Sequence, residues 1–324
     1  MSGLFFALSI NMKKYNMLET LLLLCALLSC GQPESSQDIP PQGITLEPGF
    51  HFPYNTGLPE HYFALPGKLE EVSGLSPSNK NGELLAVQDE NGIVYKINAS
   101  TGEVLEEITF WKDGDYEGVE AVGDKIYVVK SSGTLYEISP EKGQEPLVEK
   151  YNFFLNEEND VEGLAYDPKN NRLLLACKAK AGQEATYKKQ KGIYAFDLST
   201  KTLSESPVFL ISTEMVGQYL DTQPALEKLE KLTEFFDPTN ADFGFSPSAI
   251  AIHPMTGEIY VLSSSGKVLL VMNVQGTVLH LEKLSKKEHA QPEGLCFSPD
   301  GTLYIANEGK GADAKIYSYS YKNK

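Results

Sequence analysis

The sequence predicts an all-β fold, a five-bladed β-propeller. One short step, in which a polar residue and a small residue enter an apolar strand, recurs five times. The copies occupy residues 72–77, 116–122, 160–168, 247–254 and 292–299. Turns such as Asn91-Gly92 and Asp300-Gly301 supply residues that tolerate the backbone of tight hairpins. Strands and turns that repeat at a fixed period are typical of propellers.

The period of the repeat predicts the number of blades. The small residues of successive copies are 44 or 45 residues apart in three of the four intervals, whereas Gly163 and Ala249 are 86 apart. The excess of 41 residues either hides a sixth blade or is an insertion. We favour an insertion between blades three and four, made of a polar excursion at 179–190 and a helical insertion at 212–246. Regularly spaced leucines after Pro224 predict an amphipathic helix over 224–232.

The two ends of the propeller domain, residues 60–324, are predicted to meet in one sheet. The last repeat has no strand after 315–319, and a lone apolar strand at 61–65 precedes the first repeat. We expect this N-terminal strand to close the last blade, because closure removes exposed strand edges.

The first 29 residues predict a lipoprotein signal peptide. Lys13 and Lys14 precede an apolar run at 21–28 that is too short to span a bilayer. The run leads into Leu27-Leu28-Ser29-Cys30, which resembles a bacterial lipobox, so Cys30 is expected to carry diacylglycerol and palmitate. An ordinary secretory signal and an uncleaved anchor are the alternatives, and the chain starts at Met1 or at Met12.

The N-terminal region, residues 1–59, predicts where the protein resides. Residues 30–59 are rich in Pro, Gln, Ser and Gly, and we interpret them as a flexible tether between the lipid and the propeller. The expected location is the bacterial cell envelope, with the protein anchored by lipid to the outer membrane and facing the periplasm. We expect a monomer.

Charge and cysteine content limit the partners. The formal net charge is −16, with 28 Lys and Arg against 44 Asp and Glu, which excludes nucleic acid because phosphate binding needs clustered basic residues. An acidic body suits cations or simply favours solubility. Cys25 leaves with the signal peptide, and Cys177 and Cys296 lie in apolar strand patterns. Buried free thiols are favoured there, and a disulfide between the two is the alternative.

The polar residue of each repeated step is the candidate site. The innermost strands of a propeller line its channel, so equivalent positions of all blades meet around one axis. These equivalent positions are Ser73, Glu117, Glu162, Ser248 and Glu293. Three carboxylates held close together repel one another unless a cation neutralises them, and Ca²⁺ accepts irregular sets of oxygen ligands. The alternative is that these side chains are solvated or cap nearby backbone groups.

A second group of candidates follows the second strand of each blade. Asp89 and Glu308 are positioned to add metal ligands or to contact a bound molecule. Lys130 and Lys178 would instead pair with the glutamates, which would reduce the need for a metal. We therefore predict metal ligation by Glu117, Glu162, Glu293 and Glu308. Ser73, Ser248, Asp89 and Lys178 are predicted to bind a ligand at the channel mouth.

Motifs of nucleophilic catalysis are missing from the sequence. It contains neither a Gly-x-Ser-x-Gly elbow nor a glycine-rich phosphate loop. His289, four residues before Glu293, is the one histidine placed to act as a general base at the mouth.

The order of the repeated motifs resembles a known family. Leu69-x-x-x-Ser73-Gly74-Leu75, Glu117-Gly118, the stretch 160–166, the stretch 246–249 and Pro292-Glu293-Gly294 are similar to the SdiA-regulated family of bacterial propellers, relatives of NHL-repeat and paraoxonase-like proteins. The resemblance covers about residues 60–324. It implies a five-bladed propeller with calcium at the channel mouth, on Glu117, Glu162 and Glu293 with Glu308 as a further ligand. Lys130-Ser131-Ser132 departs from the acidic or polar residue expected after the second strand of blade two.

Two functions follow from these observations. The first is a lipoprotein whose calcium-bearing propeller binds a ligand or partner. The alternative is a calcium-dependent hydrolase of the esterase, lactonase or phytase type, in which the metal would polarise the scissile group. The sequence leaves open whether the protein is an enzyme.

Overall fold

The computed structural model describes residues 49–182 and 187–322 and confirms the five-bladed β-propeller. Four of its sheets contain four strands, and the third blade contains five strand segments. Within each blade, strands consecutive in the chain pair antiparallel from the axis outwards. The chain opens with β1 (His61–Ala64).

Blades one and two follow the simple pattern of four consecutive strands. Blade one consists of β2 (Val72–Pro77), β3 (Glu83–Gln88), β4 (Ile93–Asn98) and β5 (Val104–Thr109). Blade two consists of β6 (Tyr116–Val122), β7 (Lys125–Lys130), β8 (Leu135–Ser139) and β9 (Leu147–Tyr151).

Blade three has an interrupted outer strand. Its strands are β10 (Val161–Asp167), β11 (Arg172–Cys177), β12 (Gln190–Asp197), β13 (Thr202–Leu203) and β14 (Phe209–Ser212). Both β13 and β14 pair with β12, at opposite ends of it, so together they fill the position of one outer strand.

Blades four and five complete the ring. Blade four consists of β15 (Pro247–Ile252), β16 (Ile259–Ser263), β17 (Val268–Met272) and β18 (Val278–Lys283). Blade five consists of β19 (Pro292–Phe297), β20 (Leu303–Asn307), β21 (Lys315–Tyr319) and β1. In the closing pair His61 lies opposite Ser318 and Ala64 opposite Lys315, which confirms the predicted closure by the N-terminal strand.

The hydrophobic core lies between the blades. Among the described residues it forms five clusters, each built from facing sheets of two neighbouring blades. Alternation along each strand sends one set of side chains to the blade before and the other set to the blade after. Each blade is therefore stabilised only by its neighbours, as expected of a repeat architecture.

The insertion between blades three and four is helical, and residues 213–246 contain no strand. Helix α1 (Thr213–Asp221) begins at Ser212, whose Oγ accepts a hydrogen bond of 3.1 Å from the backbone N–H of Met215. Helix α2 (Leu229–Phe235) follows, and a short 3₁₀ turn (Ser265–Lys267) lies beneath it. Val216, Tyr219 and Leu220 of α1 pack into the core between blades three and four.

The predicted helix over 224–232 is only partly correct. Helix α2 begins at Leu229, and residues 224–228 form turns. The reason is the backbone of Lys228, whose φ of 58° lies in the left-handed region and cannot continue a right-handed helix. Part of the predicted excursion at 179–190 lies outside the described residues.

The propeller begins earlier than the predicted boundary at residue 60. Tyr54 is buried, and its Oη donates a hydrogen bond of 2.7 Å to the carbonyl of Gly301. Phe52 stacks on His280 with ring centroids 4.5 Å apart. Alternating aromatic residues therefore hold this stretch against blades four and five. Cys30, the predicted cleavage point and most of the predicted tether lie outside the described residues.

Two further expectations concern thiols and membrane spans. Cys177 and Cys296 are both buried and free, in agreement with the favoured interpretation. Within the described ranges, the helices are too short or too polar to cross a bilayer.

Candidate functional site

A register shift occurs at the same place in the innermost strand of every blade. In each blade one residue near the start of that strand has no partner across the pair: Ser73, Glu117, Glu162, Ser248 and Glu293. These are the five positions that the sequence repeat singled out. A bulge bends the strand and re-aims a side chain. The fivefold irregularity therefore directs one polar side chain of every blade toward the channel mouth.

The small residue after each bulge lets the innermost strands approach one another. A Cβ atom on Gly118 would lie 2.7 Å from Cβ of Leu164 in the next blade. A Cβ atom on Gly163 would lie 2.8 Å from Cγ2 of Ile250, and the same holds around the ring to Gly294 against Leu75. Such distances are too short for two carbon atoms. Packing of blade against blade therefore favours glycine in four of the five copies, whereas the copy in blade four accommodates the Cβ of Ala249.

The two serines of the ring hold neighbouring blades together. Ser73 Oγ donates to the carbonyl of Tyr116 at 2.6 Å, and Ser248 Oγ donates to the carbonyl of Pro292 at 3.0 Å. In both cases the acceptor comes directly before the glutamate of the next blade. Both hydroxyls thereby link the innermost strands of neighbouring blades and position Glu117 and Glu293.

The glutamates form an electrostatically connected ring with carboxylates that follow the second strands. Glu117 interacts with Glu162, Glu162 with Glu293, Glu293 with Glu308, and Glu308 with Asp89. Glu162 and Glu293 are buried, with 5% and 8% of their surface exposed. Ser73, Glu117 and Glu162 line one narrow space on the axis. The structure therefore brings the predicted carboxylates to a single mouth.

Burial and mutual repulsion raise the pKa of these carboxyl groups. Burial, followed by repulsion from Glu162 and Asp115, raises the pKa of Glu117 to about 10. Burial and Glu308 raise the pKa of Glu293 to about 7, although the hydroxyls of Ser264 and Ser248 oppose the shift. The pKa of Asp89 is raised to about 6 by burial and by Glu71 and Glu308. Without a bound cation, Glu117 is therefore protonated at neutral pH.

Lys178 supplies the positive charge at the mouth. Its ammonium forms an ion pair with Oε1 of Glu162 and interacts favourably with Glu117, Glu293 and Glu308. These carboxylates raise the pKa of the Lys178 ammonium despite its burial. Lys191 donates to the carbonyls of Lys178 and Ala179 at 2.6 and 3.0 Å, which holds the backbone of Lys178 in place. Of the two lysines proposed as partners of the ring, Lys178 is confirmed.

Lys130 makes a different contact. Its ammonium lies 5.8 Å from the centre of the Tyr116 ring, and it forms no ion pair with any described residue. Lys130 therefore lies near the mouth without pairing with its carboxylates, and Lys178 is the lysine that neutralises them.

The arrangement does not form a ready calcium cage. Across residues 49–182 and 187–322, no three His, Cys, Asp or Glu side chains are grouped closely enough to hold a metal ion. Calcium takes six to eight oxygen ligands, and here an ammonium approaches Glu162 instead. The residues as arranged do not fit a resident calcium ion, and calcium binding stays a prediction.

Three acidic residues of this region were missed by the sequence reasoning. Asp115 and Asp160 lie just before the innermost strands, where Asp115 accepts a hydrogen bond from Ser131 Oγ and Asp160 interacts with Lys178. Glu120 lies deeper, where it accepts hydrogen bonds from Ser76 Oγ at 2.8 Å and from the Tyr166 N–H at 3.2 Å. Burial raises the pKa of Glu120 to about 7. For Glu120, the sequence signal that could have revealed it was an acidic residue inside an apolar strand.

His289 is not available as a base. It is fully buried, its Nε2 lies 2.7 Å from Tyr319 Oη, and its Nδ1 lies 3.2 Å from Asn307 Nδ2. Burial lowers its pKa to about 4. Both ring nitrogens are engaged inside the protein, so His289 stabilises blade five.

A family model described as SdiA-regulated matches residues 55–310, which is most of the chain and contains the whole ring of carboxylates. The chain belongs to the SdiA-regulated family. No curated protein sequence matches it significantly.

Solved structures resemble this chain at low sequence identity. The glutaminyl cyclase of Myxococcus xanthus superposes with a TM-score of 0.51 at 12% identity, over 82% of this chain and 96% of its own. The PQQ-bound aldose sugar dehydrogenase of Streptomyces coelicolor gives a TM-score of 0.46 at 13% identity, over 81% and 97%. At these identities the likeness concerns the fold alone.

Proposed function

We propose that this SdiA-regulated propeller is an envelope-anchored binding protein whose channel mouth takes a positively charged ligand. The observation that supports the proposal is the imbalance of charge at the mouth. Carboxylates from blades one, two, three and five interact there, and Lys178 is the ammonium common to those of blades two, three and five. Raised carboxyl pKa values mean that the ring holds protons which a bound cation would displace.

The ligand in this proposal carries an amine, a guanidinium group or a metal charge. A second cation would share the carboxylates with Lys178 or would displace its side chain, of which 36% is exposed. Calcium is one candidate occupant, and it would need the Lys178 ammonium to move away from Glu162. A lipid on Cys30 would hold the monomeric propeller at the outer membrane, facing the periplasm.

The experiment is a cation titration of the purified propeller. Calcium chloride, magnesium chloride and the diamine putrescine are added separately at constant ionic strength, and heat of binding and melting temperature are measured. Saturable binding of at least one cation is expected, with release of protons that decreases as the pH rises through the raised carboxyl pKa values, while the affinity for the cation increases. Absence of saturable binding for all three would overturn the proposal.

Matched variants locate the site. Glu117→Gln with Glu293→Gln removes two carboxylates from the ring and should weaken cation binding. Glu141→Gln with Glu145→Gln removes two carboxylates from an exposed loop of blade two and should leave the affinity unchanged. Equal weakening in both double variants would mean that only the overall charge matters.

Within the described ranges, the hydrolase alternative loses its one candidate general base. His289 was its candidate base and is sealed inside blade five. Binding is therefore the function that the described geometry supports best.

A further inference from the structure

A second charged region lies beside the mouth, between the helical insertion and blade four. It is a cleft of about 1310 Å³. Five lysines line it: Lys228, Lys231, Lys267, Lys283 and Lys286. Only two carboxylates, Glu234 and Asp242, share the lining. This excess of positive charge occurs in a chain whose formal net charge is −16.

Three of the five lysines in this cleft donate hydrogen bonds to backbone carbonyls. Lys228 Nζ donates to the carbonyl of Lys283 at 2.7 Å, and Lys267 Nζ donates to the carbonyl of Ser264 at 2.8 Å. Lys283 Nζ donates to the carbonyl of Gly266. Lys228 has an ion-pair contact at 3.6 Å with the exposed Glu227. The other four lysines form no ion pair with any described residue, so most of the positive charge is uncompensated.

The ammoniums are close enough to repel one another. Burial lowers the pKa of Lys283, and Lys286, Lys267, Lys231 and Lys228 lower it further. Like charges in a partly desolvated cleft destabilise each other, and an anion between them removes that repulsion. The cleft therefore favours a bound anion, whereas the mouth favours a bound cation.

The walls of the cleft are built by close packing. Gly266 contacts the Phe235 ring so closely that a Cβ atom would lie 2.4 Å from Cζ of that ring. The Lys283 ammonium lies 5.5 Å from the centre of the same ring. Helix α2 and the 3₁₀ turn are thereby locked together, and Phe235 offers an aromatic surface next to the lysines.

We propose that this cleft binds a small molecule carrying a doubly charged oxyanion, such as a phosphate ester or a dicarboxylate. Lysine ammoniums act as point charges toward phosphate and carboxylate oxygens. The planar or apolar part of the ligand would lie against Phe235. Lys267 of the cleft also interacts with Glu293 of the mouth, so the two proposed sites are neighbours, and each is tested with its own variants.

Binding of inorganic phosphate, phenyl phosphate and succinate to the purified propeller tests the proposal. Isothermal titration at constant ionic strength should give saturable binding of at least one dianion, weakened by added sodium chloride. Stronger binding of phenyl phosphate than of inorganic phosphate would assign the Phe235 face to the ligand, and preference for succinate would identify a carboxylate ligand. No saturable binding of any of the three would overturn the proposal.

The informative variant is Lys231→Gln with Lys286→Gln. Both side chains are exposed and have no ion pair in the described structure, so the double variant should fold. Loss of two charge-assisted contacts should weaken dianion binding by about tenfold or more. The control is Lys80→Gln with Lys142→Gln, which removes the same charge from exposed turns of blades one and two. Equal affinities in the two double variants would refute a specific site.

A second readout separates the two proposed sites. Glu117→Gln with Glu293→Gln should lose cation binding and retain dianion binding. Phosphate should raise the melting temperature of the wild type and of this mouth variant, and should raise that of the lysine double variant less. A loss of dianion binding in the mouth variant would contradict the independence of the cleft.

Discussion

The Lys178 ammonium pairs with Oε1 of Glu162 at the channel mouth, and it thereby becomes the central cation of carboxylates from three blades. Glu117 comes from blade two, Glu162 from blade three and Glu293 from blade five. Repulsion within this ring is offset by one lysine and by protons on the carboxyl groups. The charge state of the mouth therefore links stability, pH and cation binding.

The first prediction concerns Lys178→Met. The buried carboxyl of Glu162 loses its partner, and the free energy of unfolding should fall by about 1–3 kcal/mol, because Lys178 is partly exposed and its pair is worth less than a fully buried one. Thermal unfolding in the presence of a chelator measures this change. If the ring takes calcium once the ammonium is gone, calcium should raise the melting temperature of this variant more than that of the wild type.

Two further variants control for packing. Lys178→Met with Glu162→Gln leaves no unpaired buried charge and should recover most of the lost stability. Lys180→Met breaks an exposed pair with Glu158, in which the atoms are 3.0 Å apart, and should cost about 0.5 kcal/mol or less. A loss in the Lys180 variant as large as in Lys178→Met would count against the central role of Lys178.

The second prediction is a fall in stability as the pH rises. The pKa of Glu117 is about 10 and that of Glu293 about 7 in the folded protein, whereas the ordinary value is 4.5. Between these limits the folded state binds more protons than the unfolded chain, so the free energy of unfolding decreases with increasing pH. The contribution is fully present below pH 4.5 and is lost through the folded pKa values.

Melting temperatures from about pH 5 to pH 9.5 in the presence of a chelator measure this slope. Glu117→Gln replaces the carboxyl with a neutral amide and should flatten the upper part of the profile. Glu145→Gln changes an exposed carboxylate and should keep the wild-type slope. If Glu117→Gln has the same profile as the wild type, then Glu117 does not hold a proton at neutral pH.

Much of the fold was predictable because the blades of a propeller repeat the same geometry at a fixed spacing in the sequence. Gly118 and Gly163 recur because the innermost strands of neighbouring blades approach closely at this position. The bulges at Glu117 and Glu162 recur for the same reason, so the sequence indicated which side chains face the mouth. The closing strand followed from counting strands in the last repeat.

Other features could not be predicted from the repeat, because they do not recur from blade to blade. Asp115 lies two residues before Glu117, outside the repeated step, and its repulsion of the Glu117 carboxylate depends on the path of the loop that carries it. The turn at Lys228 depends on a backbone conformation that helical spacing does not reveal. Lysines from three separate segments form the cleft, and their proximity arises from the docking of the insertion on blade four. Tertiary packing, rather than local pattern, decides each of these.

The third prediction concerns the lipid anchor. Leu27-Leu28-Ser29-Cys30 resembles a lipobox, and a thiol is the group that accepts the diacylglycerol. Cys30→Ser should therefore release the propeller from the membrane fraction into the soluble periplasmic fraction. Fractionation of cells that express each form measures the distribution. The propeller of the variant should retain its wild-type melting temperature, and continued membrane association would contradict lipidation at Cys30.

The last prediction tests the close approach of the blades. In Gly118→Ala the new Cβ would lie 2.7 Å from Cβ of Leu164 and 3.1 Å from its backbone nitrogen, so blades two and three must move apart. Overpacking of this kind should lower the free energy of unfolding by about 1–3 kcal/mol. Gly217→Ala is the matched control, because Gly217 lies in α1 with open space around it. Alanine favours the helix by about 0.5–1 kcal/mol, so this variant should be more stable than the wild type. Denaturant unfolding of the two variants should give changes of opposite sign, and destabilisation by both or by neither would show that contact between innermost strands does not require the repeated glycine.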